Sequence, residues 1–401
     1  MDTQPPILPL ANDADLDTIL ATTRKLAATF EQTAIARDAR GGHAASERAL
    51  IRASGLLRLT IPRVHGGMGQ SWQVFFKTLH LLAQTDSALA HVYAFHHLQT
   101  LTVLLYGSPA QQAHFLPLTI MHDVFWGNAL NPNDRRTVAS KTGDGYRIHG
   151  PKSWCSGSVG ADWLVCSAWH EPAQSLLIGV VPASAPGLSV QGDWDAFGQK
   201  QTDSGTVTFE HVAMPDHAVL LPPGVQPSIR ATLRPLVAQL ILATLYSGIA
   251  RGALDHALRH TRTLSKPWFA SGVPRACDDP FVQHRYGQLS VLVRPAEVMV
   301  ELAAQAVDRA LALGDTITAE QRGSAAIAVA EAKVVAHRAA LEVSSQMFEL
   351  TGANAASSRF GLDRFWRNAR VHTLHDPVDY KLRDLGRQLL DGRWPDPTSY
   401  S

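Results

Sequence analysis

The sequence predicts an α+β protein in which a helical N-terminal domain, a central antiparallel β domain and a C-terminal helical bundle follow one another. Three observations predict this order. Apolar residues recur at three- and four-residue steps near both ends of the 401-residue chain, short β-rich runs separated by glycine and proline fill the middle, and long alanine-rich runs dominate the last part. A chain of this length is expected to contain two or three subdomains.

The N-terminal helical domain is predicted over residues 1–122. DLDTILATTRKLAATFEQTAIARD has helical periodicity, and Asp13 or Asp15 can cap its start. The same periodicity returns in SWQVFFKTLHLLAQT and SALAHVYAFHHLQTLTVLLYG. The glycines and proline of IPRVHGGMGQ predict a long loop between helices.

The central β domain is predicted over residues 123–235. DWLVCSAWH, LLIGVVPA and GTVTFEHVAMP are typical of short strands, and SKTGDGYRIHG predicts a hairpin because its glycines can supply the positive φ angles of a tight turn. We therefore expect a small antiparallel sheet or barrel.

The C-terminal domain is predicted over residues 236–401. Its helical runs are rich in alanine and long enough for a four-helix bundle packed at shallow angles. The chain has no internal repeat of fixed period and no low-complexity tail.

Charge and cysteine content narrow the function. Lys and Arg number 36 against 35 Asp and Glu, a formal net charge of +1, so no field is available to recruit nucleic acid or an anionic membrane, and a small-molecule partner is expected. Cys155, Cys166 and Cys277 lack metal-ligand spacing, so neither a metal site nor a disulfide framework is predicted. With no basic leader and no run of 18 apolar residues, the protein is predicted to be soluble and cytoplasmic.

The segment WRNARVHTLHDPVDYK contains two histidines just before Asp376 and Pro377. His372 and His375 are three residues apart, and residues at that spacing lie on nearly the same face of a helix. The spacing alone fits a functional pair and a solvated or capping pair equally well.

Several strings, in order and spacing, resemble the acyl-CoA dehydrogenase superfamily over almost the whole chain. They are IPRVHGGMG in the N-terminal domain, GPKSWCSG and FGQKQTDSGTVTFEHVAMP in the β domain, and FELTGAN in the bundle. The resemblance implies a flavin between the β domain and the bundle. It also implies a homotetramer in which a neighbouring subunit supplies part of the flavin site.

The end of the chain departs from the dehydrogenase pattern. Asp376 and Pro377 stand where the dehydrogenases have a catalytic Glu followed by Gly, and a shorter carboxylate before proline is badly placed to remove an α-proton, because a general base must first reach its proton. DRFWRNARVHTLHDPVDYK instead resembles the reduced-flavin monooxygenase subgroup, which includes dibenzothiophene monooxygenase and sulfur-acquisition oxidoreductases.

The subgroup resemblance implies a two-component monooxygenase. FMNH2 would come from a separate NAD(P)H:flavin reductase, react with O2 to give a C4a-hydroperoxyflavin, and oxygenate a small organosulfur or aromatic substrate. The chain has no G-x-G-x-x-G or Walker string, so it is not expected to bind NAD(P)H itself. An acyl-CoA dehydrogenase with FAD and Asp376 as base is the alternative, and a helical scaffold without cofactor is a third possibility.

The resemblance implies catalytic roles for four residues, and the four-residue spacing of His91 and Phe95 on a predicted helix adds His91. His375 would donate to the flavin peroxide, because imidazole titrates near working pH, and His372 would orient His375 or the substrate. Ser156 in KSWCSG falls where the family places a hydroxyl at flavin N5 and O4. The Asn128 amide could reach the pyrimidine edge or the peroxide, and His91 could touch substrate or peroxide. The alternatives are a turn asparagine, an ordinary strand serine and a core histidine.

Further cofactor contacts are expected around the flavin ring. Trp126 and Leu130 would share the strand face of Asn128, and Trp154 would stack near the ring or its edge.

At the phosphate end, Arg262 or Lys266 in the crossover RTLSKPWFASGVPRACDDP could hold the FMN phosphate, although a flexible crossover fits the string as well. Arg367 in the family-like string is the remaining cofactor-binding candidate.

Overall fold

A computed structural model describes residues 7–401, which form three successive segments. The first is helical and contains α1 (Leu16–Arg40), α2 (Ala45–Ala53), α3 (Trp72–Ala83), α4 (Ser87–Tyr106) and α5 (Pro109–Met121). Asp15 caps α1 by accepting from Thr18 N at 2.8 Å, as its position predicts. In the loop between α2 and α3, a Cβ on Gly67 would lie 2.1 Å from the carbonyl oxygen of Ile61, so only glycine fits there.

Helix α4 is the central helix of the N-terminal segment. It is buried on nearly every face, as expected of a helix that is apolar all round. It packs against α3, against α6 of the C-terminal segment and against the first strand. His96 and His97 are core residues, because their ring nitrogens bond to Leu57 O at 2.8 Å and to Thr60 Oγ1 at 2.9 Å.

The second segment is a sheet of eight strands within the described chain. They are β1 (Trp126–Ala129), β2 (Val138–Thr142), β3 (Gly145–Lys152), β4 (Trp163–His170), β5 (Ser175–Pro182), β6 (Leu188–Val190), β7 (Val207–Pro215) and β8 (Val219–Leu221). The strand order is β6-β7-β3-β2-β4-β5-β8, with β1 beside β4. The hairpin of β2 and β3 is confirmed. The sheet is mixed, because β1 and β2 both pair with β4 in parallel.

The third segment is the helical bundle. It contains α6 (Leu233–Thr263), α7 (Pro280–Ala312), α8 (Ala319–Gln346), α9 (Phe348–Thr351), α10 (Asp363–Thr373) and α11 (Asp379–Asp391). Helix α6 is long and apolar enough to cross a membrane, but 94% of its most apolar window is buried inside the protein, so it is the core helix of the bundle. The predicted fold class is confirmed.

The secondary structure changes close to the predicted domain limits. α5 ends at Met121 and β1 begins at Trp126, on either side of residue 122. α6 begins at Leu233, two residues before the limit at 235. The division into three folding units with these limits stays a prediction.

Candidate active site

His91 and His372 form a buried pair of imidazoles between α4 and the last turn of α10. Their ring centroids are 4.8 Å apart, and His91 also stacks on Phe95 at 4.0 Å. Both side chains are buried. Neither ring nitrogen of His91 has a hydrogen-bond partner, and Nδ1 of His372 also lacks one within residues 7–401. Buried polar atoms in this condition call for a ligand or an ordered water.

Burial also fixes the charge of this pair. Desolvation lowers the pKa of His372 to about 3 and holds the pKa of His91 well below its ordinary value. Both rings are therefore neutral at neutral pH, and each offers one N–H donor and one lone pair to whatever lies between the helices.

His375 lies beyond the helix, so the prediction that it shares a helix face with His372 is wrong. Helix α10 ends at Thr373, and His375 continues as a turn with its N–H donating to His372 O at 3.0 Å. Pro377 accounts for the early end, because a proline disfavours helical backbone in the residue before it. The His375 side chain is 43% exposed, and its ring centroid is 5.5 Å from that of Tyr400.

Asp376 is held by three donors. Its Oδ1 accepts from Lys333 Nζ at 2.5 Å, from His375 Nδ1 at 2.7 Å and from Gln239 Nε2 at 3.4 Å. Burial raises the pKa of Asp376, but the hydrogen bond from His375 and the charge of Lys333 outweigh it and hold that pKa well below its ordinary value. A carboxylate engaged in this way is not a free base, which removes the mechanism of the dehydrogenase alternative.

Ser156 and Asn128 form a second polar group, at the edge of the sheet. The Asn128 N–H donates to Ser156 O at 2.9 Å, and Asn128 Oδ1 accepts from Gln99 of α4 at 3.2 Å. Ser156 Oγ lies 2.8 Å from Ser204 Oγ, which lies 2.8 Å from Thr202 Oγ1. Nδ2 of Asn128 has no hydrogen-bond partner among the described residues.

Helix α4 links the two polar groups. Val92, next to His91, lies 3.7 Å from the position of a Cβ on Gly157, which follows Ser156. Gln99, two turns further along α4, contacts Asn128. Helix α4 thus carries the unpartnered nitrogens of His91 near the bundle and, two turns further along, the Gln99 amide that holds Asn128 at the sheet. This donor set fits the polar edge of a reduced flavin.

A cavity of about 420 Å³ opens on His375, a size typical of small-molecule pockets. Tyr400 of the C-terminal tail forms part of its wall and accepts a hydrogen bond from Asn133 Nδ2 at 2.9 Å. Arg383 and Arg387 of α11 also line it. Ser156 and His91 are absent from its lining within residues 7–401, so the cavity reaches only the His375 side of the candidate site.

The aromatic candidates for cofactor binding lie in different environments. Trp126 is fully buried, donates from Nε1 to Thr119 at 2.9 Å and packs on Trp163, so its side chain belongs to the sheet core and does not fit the predicted contact with the flavin. Leu130 packs at the edge of that core. Trp154 is 61% exposed and has a φ of 63°, a strained backbone of the kind that accompanies functional sites.

The cationic candidates do not reach the site within one chain. Arg262 lies 23 residues beyond Gln239 on α6, so it is about 35 Å from Asp376 at the rise of an α-helix, further than an FMN molecule extends. Lys266 follows the end of α6 by three residues and stays near the same end of that helix. Arg367 is committed to Asp38, to Asp363 and to Phe197 O, which suits a structural role better than cofactor binding.

Sequence reasoning missed Lys333, Gln239, Tyr400 and Asn133. Lys333 carries a usable signal, because it is the one cation among the alanines and valines of AAIAVAEAKVVA, next to the buried Ala332. Tyr400 and Asn133 carry no such signal, since they meet across 267 residues of chain.

The chain matches known proteins along nearly its whole length. Family models described as the acyl-CoA dehydrogenase N-terminal domain and the acyl-CoA dehydrogenase C-terminal domain match residues 13–122 and 240–380. The probable FMNH2-dependent monooxygenase SfnC of Pseudomonas putida is 43% identical over 383 residues, which cover 95% of this chain and 97% of that protein. Dibenzothiophene monooxygenase of Rhodococcus qingshengii is 38% identical over 400 residues, which cover 96% of this chain and 95% of that protein.

Among solved structures, methanesulfinate monooxygenase MsuC from Pseudomonas fluorescens has a TM-score of 0.93 at 43% identity, covering 95% of this chain and 99% of that one. Full-length matches at this level to monooxygenases agree with the engaged Asp376, which leaves the dehydrogenase base without a counterpart. The chain belongs to the acyl-CoA dehydrogenase superfamily and, within it, to the flavin-dependent monooxygenases.

Proposed function

We propose that this protein is the oxygenase component of a two-component system that uses FMNH2 and O2 to oxygenate a small organosulfur compound. FMNH2 would be delivered by a separate NAD(P)H:flavin reductase. The names of the relatives support the cofactor and the substrate class, since SfnC is described as FMNH2-dependent and the other two act on dibenzothiophene and methanesulfinate. The observation that carries the proposal is the buried pair His91 and His372, in which both nitrogens of His91 and Nδ1 of His372 lack partners and which α4 connects to the group of Ser156 and Asn128.

Bound FMNH2 supplies the activation of O2 and the transfer of one oxygen atom. Ser156 and Asn128 would hold the polar edge of the flavin, through the hydroxyl and through the unpartnered Nδ2. His375 would present a donor where negative charge develops, because Asp376 orients its ring. His91 and His372 are buried and neutral, and they would orient the substrate and exclude water.

We extend the proposal to the assembly. Arg262, near the C-terminal end of α6, and Lys266, just after that helix, lie too far away to serve the site of their own chain, so they would reach the FMN phosphate of a neighbouring subunit in a homotetramer. Large apolar side chains are exposed in the same region, notably Trp268, Phe269 and Phe281. Clustered exposed aromatics of this kind indicate contact with another protein surface.

We place the system in the cytoplasm. All three cysteines are free thiols, which suits a reducing compartment. The reductase and its NAD(P)H pool would be found in the same compartment.

Oxygen-isotope labelling tests the function. The protein is mixed with FMN, NADH, any flavin reductase and ¹⁸O₂, with methanesulfinate and dibenzothiophene offered separately, and products are analysed by mass spectrometry. We expect one ¹⁸O atom in the oxidised sulfur product of at least one substrate. A reaction with both compounds that forms only hydrogen peroxide would count against organosulfur oxygenation.

A further inference from the structure

Lys333 is a buried cation in an apolar helix. It is 1% exposed in the middle of α8, and the neighbouring Ala332 and Ala336 are fully buried. Its Nζ bonds to Asp376 Oδ1 at 2.5 Å and to Gln239 Oε1. Burying an ion pair seldom improves on apolar packing of the same volume, so stability alone does not explain this lysine.

The pair decides which nitrogen of His375 faces the cavity. Asp376 is ionised and can only accept, so the His375 Nδ1 at 2.7 Å must carry a proton and donate to it. Nε2 is then the nitrogen left for the cavity that His375 lines. All three donors converge on Oδ1 of Asp376, and its Oδ2 has no hydrogen-bond partner within the described chain.

We propose that Lys333 and Asp376 are a buried positioning pair for His375: Asp376 fixes the Nδ1–H form of the ring, and Lys333 balances the charge of Asp376 so that Nε2 can gain and lose a proton. The inference rests on the proposed function only in giving His375 a task at the flavin. Neither residue of the pair needs to touch the flavin or the substrate.

The charge balance explains why both residues are needed. Burial lowers the pKa of Lys333 to about 8, against the opposing effect of Asp376, so the lysine is still mainly charged at neutral pH. With Lys333 present, the carboxylate is already compensated and the imidazole can be neutral. Without Lys333, the only cation hydrogen-bonded to Asp376 would be a protonated His375, and the carboxylate would hold that proton on the ring.

Other titratable groups lie around the pair and remain unchanged in the test below. They are His91 of α4, Tyr246 of α6, His337 of α8, His372 of α10, Lys381 of α11 and Tyr400 of the tail.

Chemical labelling of His375 tests the proposal without flavin. Diethyl pyrocarbonate modifies unprotonated imidazole, His375 is exposed enough to react, and peptide mass spectrometry gives its rate against pH. Asp376→Asn is expected to lower the pH midpoint of His375 labelling by about one unit, and Lys333→Met to raise it by about half a unit. The exposed His122, which follows α5, serves as internal standard, and its labelling profile should be the same in every sample.

Two further variants keep the test decisive. Arg37→Met breaks a different buried ion pair, with Asp86 at 2.6 Å, and should leave the His375 midpoint unchanged. If Lys333→Met does not fold, Lys333→Gln takes its place, because it removes the charge and keeps a hydrogen-bonding side chain, and its midpoint must also lie above that of the parent. A midpoint unaffected or lowered by removal of the Lys333 charge would overturn the proposal.

The labelling experiment and the oxygenation assay test different claims, so either can fail without the other. Shifted midpoints without any ¹⁸O product would leave the positioning pair standing and remove the proposed function. A normal ¹⁸O product with unshifted midpoints would do the reverse.

Discussion

His372, which pairs with His91, and the ion-paired His375 are three residues apart in the chain but lie in opposite surroundings. His372 is buried, and its Nδ1 has no partner, whereas His375 is partly exposed and donates to a carboxylate that a buried lysine balances. A buried imidazole without hydrogen-bond partners stays neutral and can recognise a ligand through hydrogen bonds. An imidazole on a carboxylate is oriented and able to handle a proton. Three residues of chain therefore separate a buried, neutral imidazole from one that is oriented by a carboxylate.

Removing Lys333 should produce the largest effect on this contrast. Lys333→Met leaves Asp376 buried with its main counter-charge gone, which costs roughly 3–5 kcal/mol of unfolding free energy in comparable buried pairs. Denaturant unfolding at pH 7 measures the loss. The double variant Lys333→Met/Asp376→Asn should recover part of it, since no unpaired charge remains. Equal stability of parent and Lys333→Met would mean that the ion pair is not formed in solution.

Replacing His375 should abolish oxygen transfer while sparing the fold. His375→Phe removes a donor aimed at developing charge, a loss of roughly 3–4 kcal/mol, or two to three decades in rate. Product formed per NADH should fall and hydrogen peroxide should rise, with unchanged affinity for reduced FMN. His122→Phe, at the exposed end of α5, is the control. Normal coupling in His375→Phe would exclude His375 as the donor.

The dependence of unfolding free energy on pH should show that His372 stays neutral in the folded protein. The pKa of His372 is about 3 in the folded protein against an ordinary value of 6.5, so the unfolded chain binds more protons between these values. His372 therefore has no effect on the free energy of unfolding above pH 6.5, and it lowers that free energy as the pH falls from 6.5 toward 3. His372→Leu should reduce the slope of unfolding free energy by up to about 1.4 kcal/mol per pH unit in that window. An unaltered slope between pH 4 and 6 would mean that His372 is protonated in the fold.

The sequence predicts the fold and much of the candidate site because both depend on local patterns. Periodicity and turn residues place the helices and the β2–β3 hairpin. The family-like strings predict Asn128, Ser156, His372 and His375 as site residues, and helix spacing adds His91. The contrast between the histidines lies outside such patterns. It depends on where α10 ends and on Lys333 and Gln239, which meet Asp376 from two other helices.

The same limit explains the cofactor contacts that fail within one chain. Strand alternation predicts on which face of the sheet Trp126 lies. It does not predict that Thr119 and Trp163 enclose the Trp126 side chain. Arg262 and Lys266 are cations in a loop-like string, and only the length of α6 shows that they lie far from their own site. Positions fixed by contacts between distant elements are not readable from spacing.

The smallest expected effect concerns Ser156, on the sheet side of the site. Ser156→Ala should weaken binding of reduced FMN by roughly 0.5–1.5 kcal/mol, the net value of one neutral hydrogen bond, and lower turnover to a similar extent. The Ser204 hydroxyl can still bond to Thr202 Oγ1 at 2.8 Å, so the fold and its stability should change little. Ser204→Ala is the matched control, because it shortens the same hydroxyl chain one residue further away and should leave FMN affinity nearer to that of the parent. Fluorescence titration with FMN under anaerobic reduction compares the two variants.

The coupling of the reaction gives a second comparison. Since Ser156 is neutral and hydrogen-bonded, its loss should leave the ratio of product to hydrogen peroxide nearly unchanged, in contrast to His375→Phe. A Ser156 variant that uncouples as strongly as the His375 variant would show that the sheet side takes part in the proton chemistry, and the division between recognition and proton donation drawn from the two kinds of histidine would then not hold.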